Sequence, residues 1–207
     1  LDSCEIEQIC QNGKTLQILS LEGCNIDFDN RTELIQKLFT KCSQLTELNM
    51  YRGFGSFPRI ANNSLLDTHI CSLVDNLTPN ILKLNFASQR CIQDEHVNRL
   101  VSRCNNITEL DLSRTSITND SIESIVKNLN SLEKLNLKFT KIDFSTILQL
   151  KSIPTLKILN YYQNYEDRNG EKIKNLKLQL PNITINEEHL HIACSTKEVN
   201  GSIDPDW

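Results

Sequence analysis

Apolar residues recur along the chain in a spacing that is typical of short strands. The first clear copy is Leu16, Leu19 and Leu21, followed by Cys24 and Ile26. The pattern starts again, with substitutions, at Leu45, Ile81, Ile107, Leu132, Leu156 and Leu180, and successive starts are 29, 36, 26, 25, 24 and 24 residues apart. Because alternate residues of a strand share a face, the second and third apolar positions of each unit should point inward. We therefore predict one buried strand per unit, with Ile183 and Ile185 at those two positions in the last unit.

Between these strands, apolar residues follow a helical spacing that predicts amphipathic helices. The stripes are Leu34, Ile35, Leu38 and Phe39; Val97, Leu100, Val101 and Cys104; and Ile122, Ile125, Val126 and Leu129. Helix caps are expected at Asn30, Asp94 and Asn119. One strand and one helix cannot bury both of their apolar faces alone, so the units must stack. The pattern predicts an α/β fold, a leucine-rich-repeat solenoid or horseshoe with a parallel concave β-sheet and about seven repeats.

The same pattern sets the expected boundaries. We predict a repeat domain over residues 1–186 and a C-terminal tail without the leucine pattern over residues 187–207. Leu1, Cys4 and Ile6 match the phase of a later strand, so we expect the domain to start inside a repeat with half of its strand missing. The longest unit contains a loop over residues 51–63, which is either a partner contact or a tolerated surface insertion.

Composition narrows the function classes. The 207 residues include 22 Lys+Arg and 26 Asp+Glu, a formal charge of −4, which argues against a general nucleic-acid binder. No run of 18 apolar residues is present, so we expect no transmembrane helix. The eight cysteines include no CxxC pair, and those that recur in phase, Cys42 with Cys104 and Cys4 with Cys24, are expected to be small buried core residues. This use of cysteine favours a reducing, intracellular compartment, with a disulfide framework as the alternative.

Motifs that carry chemistry are missing from the sequence. It contains no nucleophile elbow, phosphate-binding glycine loop or HExxH, so we predict neither an enzyme nor a cofactor. His189, His191 and Cys194 could contribute metal ligands, but no obvious fourth ligand accompanies them, and we predict no metal site. Seven N-x-[ST] sequons keep an extracellular receptor open as an alternative, although Asn makes up 23 of 207 residues and chance alone produces several.

The concave face of the predicted sheet is the expected binding surface. Its exposed side chains should lie between and just after the strand leucines. Arg114, Lys138, Phe139 and Tyr162 would form a basic and aromatic patch suited to a protein partner that carries acidic or phosphorylated residues. The alternatives are a hydrogen-bonded polar ladder for the Asn column and a solvated face for the cations. The full predicted set is Tyr51, Arg52, Asp111, Arg114, Asn136, Lys138, Phe139, Asn160, Tyr162 and Asn186.

Several strings resemble a known family. Cys42–Asn49 (CSQLTELN) is similar to the cysteine-type repeat of F-box leucine-rich-repeat proteins. The strings Leu100–Ser113, Ile153–Lys157 (IPTLK) and Leu180–Asn186 (LPNITIN), at their mutual spacing and followed by a repeat-free tail, strengthen the resemblance. The similarity runs from about Leu16 to Trp207.

The resemblance implies a non-catalytic substrate receptor of a Skp-cullin-F-box (SCF) ubiquitin ligase in the nucleus and cytoplasm. An F-box upstream of this chain would bind the Skp adaptor and the cullin, and the repeats would hold the protein substrate. In this family the tail can fold back along the concave sheet, and a Cks-type accessory protein can bind there. Carried onto this chain, that contact would use Lys138, Phe139, Tyr162 and Asn186, with tail residues such as His189, His191 and Trp207. The alternatives are an intracellular leucine-rich-repeat scaffold or inhibitor unrelated to ubiquitin, and an extracellular receptor.

Overall fold

A computed structural model describes residues 3–24, 31–51, 63–162 and 171–186. Helices and strands alternate along these residues, with two short 3₁₀ turns at Gly13–Thr15 and Leu148–Ser152. The helices are α1 Ser3–Gln11, α2 Arg31–Lys41, α3 Asn63–Asn76, α4 Asp94–Arg103, α5 Asp120–Asn128, α6 Phe144–Ile147 and α7 Glu171–Gln179. The strands are β1 Ile18–Ser20, β2 Glu47–Asn49, β3 Lys83–Asn85, β4 Glu109–Asp111, β5 Lys134–Asn136, β6 Ile158–Asn160 and β7 Thr184–Ile185.

The strands form one parallel sheet of seven in chain order, β1 to β7, which is open rather than closed. The central apolar residues of neighbouring strands face each other across the whole sheet and are buried: Leu19, Leu48, Leu84, Leu110, Leu135, Leu159 and Ile185. The helices cover the face to which these residues point, and the core lies between the two layers. The predicted α/β class with a parallel sheet is therefore confirmed.

The register of the last strand differs from our prediction. Ile185, and not Ile183, pairs with Leu159, so Asn186 follows the strand centre as Asn160 does in β6. A shift by two residues keeps both isoleucines on the same side of a strand, which is why the apolar pattern alone could not distinguish the two registers. Asn186 consequently occupies the same place relative to its strand centre as Asn160 does in β6.

The helical stripes lie as predicted on α2, α4 and α5, but the expected cap of α4 is displaced by one residue. The N-cap of α4 is Gln93, whose N–H donates to Nδ1 of His96 at 3.1 Å, and Asp94 is the first helical residue. The Asp94 carboxylate instead accepts bonds from the Thr118 N–H, the Thr118 hydroxyl and the Ser121 hydroxyl of the next unit. It therefore joins neighbouring units.

Asn119 is the N-cap residue of α5, as predicted, but its side chain makes no cap bond and exchanges hydrogen bonds with Asp143 instead. It therefore also connects neighbouring units. Asn30 lies outside the described residues.

The start of the chain also differs from the prediction of half a strand. Residues Ser3–Gln11 form a helix, in which Ile6 is buried while Cys4 is exposed. The short apolar match to a later strand was ambiguous, because Ile6, Ile9 and Cys10 also have helical spacing and contact the core from α1. The expectations of a half strand and of a buried Cys4 were therefore wrong. Leu1 lies outside the described residues.

The seven cysteines in the described part of the chain are free thiols. Cys42 and Cys104 are buried at equivalent places, each three residues before the first apolar residue of its unit, as predicted. Burial raises the pKa of each of these two thiols to about 11, so both stay protonated and unreactive at neutral pH. Cys194 lies outside the described residues.

Among the described residues, no helix is long and apolar enough to cross a membrane. Within the same ranges, no group of three or more His, Cys, Asp or Glu side chains could hold a metal ion. The loop 52–62 with Arg52, and the predicted tail with His189, His191 and Trp207, lie outside the described residues.

Candidate protein-binding surface

The sheet has one face on the core and one face turned away from it, which we call the open face. Side chains on either side of each central apolar residue point to the open face, because successive residues of a strand alternate. We define three rows across it. The charged row precedes the central residues and includes Glu47, Lys83, Glu109 and Lys134. The amide row follows them and consists of Asn49, Asn85, Asp111, Asn136, Asn160 and Asn186. The outer row lies two residues beyond and includes Tyr51, Ser113, Lys138 and Tyr162.

The charged row was not predicted from the sequence. Lys83 pairs with Glu47 at 3.0 Å, and Lys134 pairs with Glu109 at 3.1 Å, in both cases from Nζ to Oε1. The signal was present in the sequence, because the residue before the strand centre alternates Glu, Lys, Glu, Lys from β2 to β5. These charges are satisfied by each other across neighbouring strands, so this part of the open face offers little net charge to a partner.

The amide row forms a hydrogen-bonded ladder at the ends of the strands. The side-chain oxygens of Asn49, Asn85, Asp111 and Asn136 each accept the N–H two residues further along, at 2.9, 2.9, 2.9 and 3.2 Å. Short Asn and Asp side chains suit this bond because they reach their own backbone. Asn136 Nδ2 also donates to Asp111 Oδ2 at 2.9 Å. Asp111 and Asn136, only 4 % and 8 % exposed, therefore belong to the polar ladder that we gave as the alternative to direct partner contact.

A left-handed turn follows several strands, at the residue after the outer row. Gly23, Ser88, Arg114 and Phe139 have φ values of 67°, 63°, 57° and 60°. The N–H of each donates to an outer-row carbonyl of the next strand, at 2.8 or 2.9 Å. Left-handed backbone is unfavourable for residues other than glycine, and this interstrand bond offsets the strain. The turn also carries the side chains of Arg114 and Phe139 towards neighbouring turns.

Arg114, Phe139 and Tyr162 contact each other in a row that, together with Lys138, we call the aromatic–basic row. The Arg114 guanidinium carbon lies 4.7 Å above the centre of the Phe139 ring. The Phe139 and Tyr162 rings meet edge to face, with centroids 5.6 Å apart and an interplanar angle of 74°. The Phe139 N–H donates to the Tyr162 carbonyl at 2.8 Å, which holds the two backbones in register. The structure thus brings three of the predicted patch residues into direct contact.

The rest of the predicted set lies around this row. Lys138 directly precedes Phe139 and is half-buried, while Tyr162 is 40 % exposed. Asn186 flanks the row, and its Oδ1 accepts the Tyr161 N–H at 2.9 Å. Tyr51 follows β2 and is separated from the aromatic–basic row by β3 and β4. Arginine and tyrosine are the residue types that contribute most binding energy in protein interfaces, so this row is the candidate binding surface.

Comparison with known proteins adds little to this description. No family model matches the chain. Among solved structures, the chain is similar to the actin-binding site 2 of leiomodin-1, at 14 % identity and a TM-score of 0.45, with 86 % of each chain covered.

Proposed function

We propose that this chain is a leucine-rich-repeat solenoid and serves as the substrate-recognition part of an SCF E3 ubiquitin ligase. One strand per unit, stacked in chain order with the leucines facing one another, supports the repeat architecture. The strings CSQLTELN, IPTLK and LPNITIN support the ligase role through their resemblance to F-box leucine-rich-repeat proteins, and most closely to the S-phase kinase-associated F-box protein. An F-box upstream of Leu1 would connect the chain to the Skp adaptor and the cullin, in the nucleus and cytoplasm.

The aromatic–basic row is the observation that supports substrate binding most directly. Phe139 lies against Arg114 on one side and against Tyr162 on the other, so the guanidinium and both rings are held before a partner arrives. Pre-ordered side chains lose less entropy on binding. Arg114 and Lys138 favour a partner segment that carries acidic or phosphorylated residues, since both are cations on the same surface.

The receptor needs no catalytic group for this role. Holding a substrate near a ubiquitin-loaded enzyme raises the effective concentration of the substrate lysines, and ubiquitin transfer becomes effectively intramolecular. A Cks-type accessory protein is proposed on the same evidence of resemblance, with Lys138, Phe139, Tyr162 and Asn186 as the residues that would contact it.

Sequencing the transcript towards its 5′ end tests the ligase assignment. We expect an F-box of about 40–50 residues ahead of Leu1, as in the resembling family. The protein encoded by the complete transcript should then co-purify with a Skp adaptor and a cullin, and a variant without the F-box should lose both. A signal peptide in place of the F-box would favour the extracellular receptor. A transcript that encodes neither an F-box nor a signal peptide would favour an intracellular scaffold.

A further inference from the structure

A cavity of about 260 Å³ lies on the side of the sheet where the strands begin, between the ends of α2, α3 and α4. Its wall includes Phe39, Thr40, Ser43, Thr78 and Arg103. Phe39 is buried, whereas Thr40, Ser43 and Arg103 are exposed and can be reached from outside. The aromatic–basic row lies beyond the opposite ends of the strands, so this cavity is a separate candidate site.

The carbonyl oxygens around the cavity already have donors. Helix ends carry carbonyls without an intrahelical partner and a partial negative charge, both of which would repel an anion. Here the Leu77 carbonyl accepts Arg103 Nε at 2.8 Å, and the Ser43 carbonyl accepts the Thr78 hydroxyl at 3.1 Å. The Thr78 carbonyl accepts the Cys104 thiol at 3.5 Å. These acceptors are therefore satisfied by the protein itself.

The side-chain donors of the cavity wall are not used in this way. The Nε bond anchors the Arg103 guanidinium, while its two terminal nitrogens make no hydrogen bond or ion pair within the described part of the chain. The hydroxyls of Thr40 and Ser43 likewise have no partner among the described residues. Arg99, one turn earlier on α4, differs because it pairs with Asp75 at 2.9 Å. The cavity thus presents one cation and two hydroxyl donors to a ligand.

A phosphate group matches this set of donors. It carries three acceptor oxygens and nearly two negative charges, and a guanidinium can bind two of those oxygens at once. The hydroxyls of Thr40 and Ser43 can then donate to the remaining oxygen. A carboxylate offers only two oxygens and a single charge. Phe39 and Pro79, which also line the cavity, provide apolar surface for the carbon atoms that carry the phosphate.

We propose that this cavity binds the phosphate of a phosphorylated side chain on a partner protein, with Arg103 pairing with the phosphate and Thr40 and Ser43 donating hydroxyl hydrogen bonds. The volume is below the roughly 300–1,000 Å³ of pockets that enclose a whole drug-sized ligand, so one side chain is the better fit. The inference does not depend on the proposed function of the aromatic–basic row, because the two surfaces share no residue.

The first test titrates the complete 207-residue chain with N-acetyl-phosphoserine amide and follows the backbone amide NMR signals. We expect the Ser43 and Arg103 signals to shift together and to saturate, with a dissociation constant of about 1 mM for so small a probe. N-acetyl-glutamate amide and inorganic phosphate should bind at least about fivefold more weakly, since the first has fewer charges and oxygens and the second leaves the apolar wall uncovered.

Each outcome of this titration decides one part of the proposal. Unmoved signals at Ser43 and Arg103 would overturn the site. Equal binding of the glutamate derivative would overturn phosphate as the recognised group. Equal binding of inorganic phosphate would overturn a phosphorylated side chain as its source.

The second test compares two arginines of the same helix. Arg103→Gln removes the guanidinium from the cavity and should weaken binding of N-acetyl-phosphoserine amide by at least about tenfold. Arg99→Gln is the matched control, because it removes the same charge one turn earlier and should leave the affinity within about twofold. Equal losses in the two variants would reveal a general attraction to a basic helix and overturn the site.

A third variant separates binding from stability, because Arg103 Nε also serves the Leu77 carbonyl. Ser43→Ala removes only an exposed hydroxyl and keeps the carbonyl that accepts the Thr78 bond. We expect an unchanged melting temperature and about fivefold weaker binding of the same probe. Unchanged binding would overturn the hydroxyl contact, and a lowered melting temperature would show that the Ser43 side chain supports the fold instead.

Discussion

Charged residues at the two ends of the strands make different contacts, although the strands belong to one sheet. Where the strands begin, the Lys83 and Lys134 ammonium groups lie 3.0 and 3.1 Å from glutamates of the preceding strands. Beyond the strand ends, Arg114 is stacked on an aromatic ring, and Lys138 forms no ion pair within the described part of the chain. The comparison shows that charges at the strand starts pair with one another across the sheet, whereas Arg114 beyond a strand end packs against an aromatic ring.

The largest effect is expected in the core that supports both regions. Leu112→Ala removes a fully buried side chain directly behind the amide row, and we expect it to lower the free energy of unfolding by roughly 2–5 kcal/mol. Ile18→Ala is the matched control, because Ile18 is 56 % exposed on β1 and should change stability by less than about 1 kcal/mol. Urea unfolding measures both. Equal losses would show that the core is misplaced.

The amide ladder should contribute less than the core. Asp111→Ala removes the acceptor for the Ser113 N–H, the Ser113 hydroxyl and Asn136 Nδ2, and we expect a loss of about 2–3 kcal/mol. Asn85→Ala is the control, since Asn85 Oδ1 accepts the Ala87 N–H in the same way without the bond to Asn136, and should lose about 1 kcal/mol. Thermal unfolding of the two variants compares them. A smaller loss for Asp111→Ala would exclude cross-strand support from this ladder.

Replacing the two cations of the aromatic–basic row by glutamate should weaken binding without destabilising the protein. We expect Arg114→Glu with Lys138→Glu to weaken the acidic-peptide interaction by at least about tenfold, because attraction becomes repulsion. The melting temperature should change little, since both residues lie outside the core. Lys127→Glu, on the exposed surface of α5, is the control with the same change of sign. Unchanged affinity, measured by fluorescence anisotropy, would remove this row from the proposed interface.

A further variant sharpens the same result. Arg114→Gly removes the guanidinium at a position where φ is +57°, a conformation that glycine adopts without strain. It should therefore weaken binding while leaving the protein about as stable as before. A variant that loses stability and binding together would indicate that the stack on Phe139 supports the fold.

The smallest effect is expected where the strands begin. Glu109→Gln removes the partner of Lys134, and we expect a loss of less than about 1 kcal/mol, because partly exposed ion pairs contribute little. Peptide affinity should not change. A tenfold change in affinity would mean that the charged row belongs to the binding surface, and the contrast between the two ends would fail.

The leucine spacing predicted much of this fold, because inward-facing strand residues must be apolar wherever units stack. It predicted the centres of six strands and the stripes of α2, α4 and α5. It failed at Ile185, where a shift by two preserves the inward face, and at Ile6, where a short apolar run fits a helix as well as a strand. The pairing of Lys134 with Glu109 was missed, although the predicted centres Leu110 and Leu135 place these two residues side by side.

The left-handed turns have a consequence for how specificity can be varied. Glycine, serine, arginine and phenylalanine occupy equivalent turns at Gly23, Ser88, Arg114 and Phe139, and each turn keeps the same interstrand bond through its N–H. Since that bond uses no side-chain atom, the four positions can carry different side chains on the same backbone. Substitutions at these positions would change the groups that a partner contacts, while the spacing between the four backbone positions stays constant.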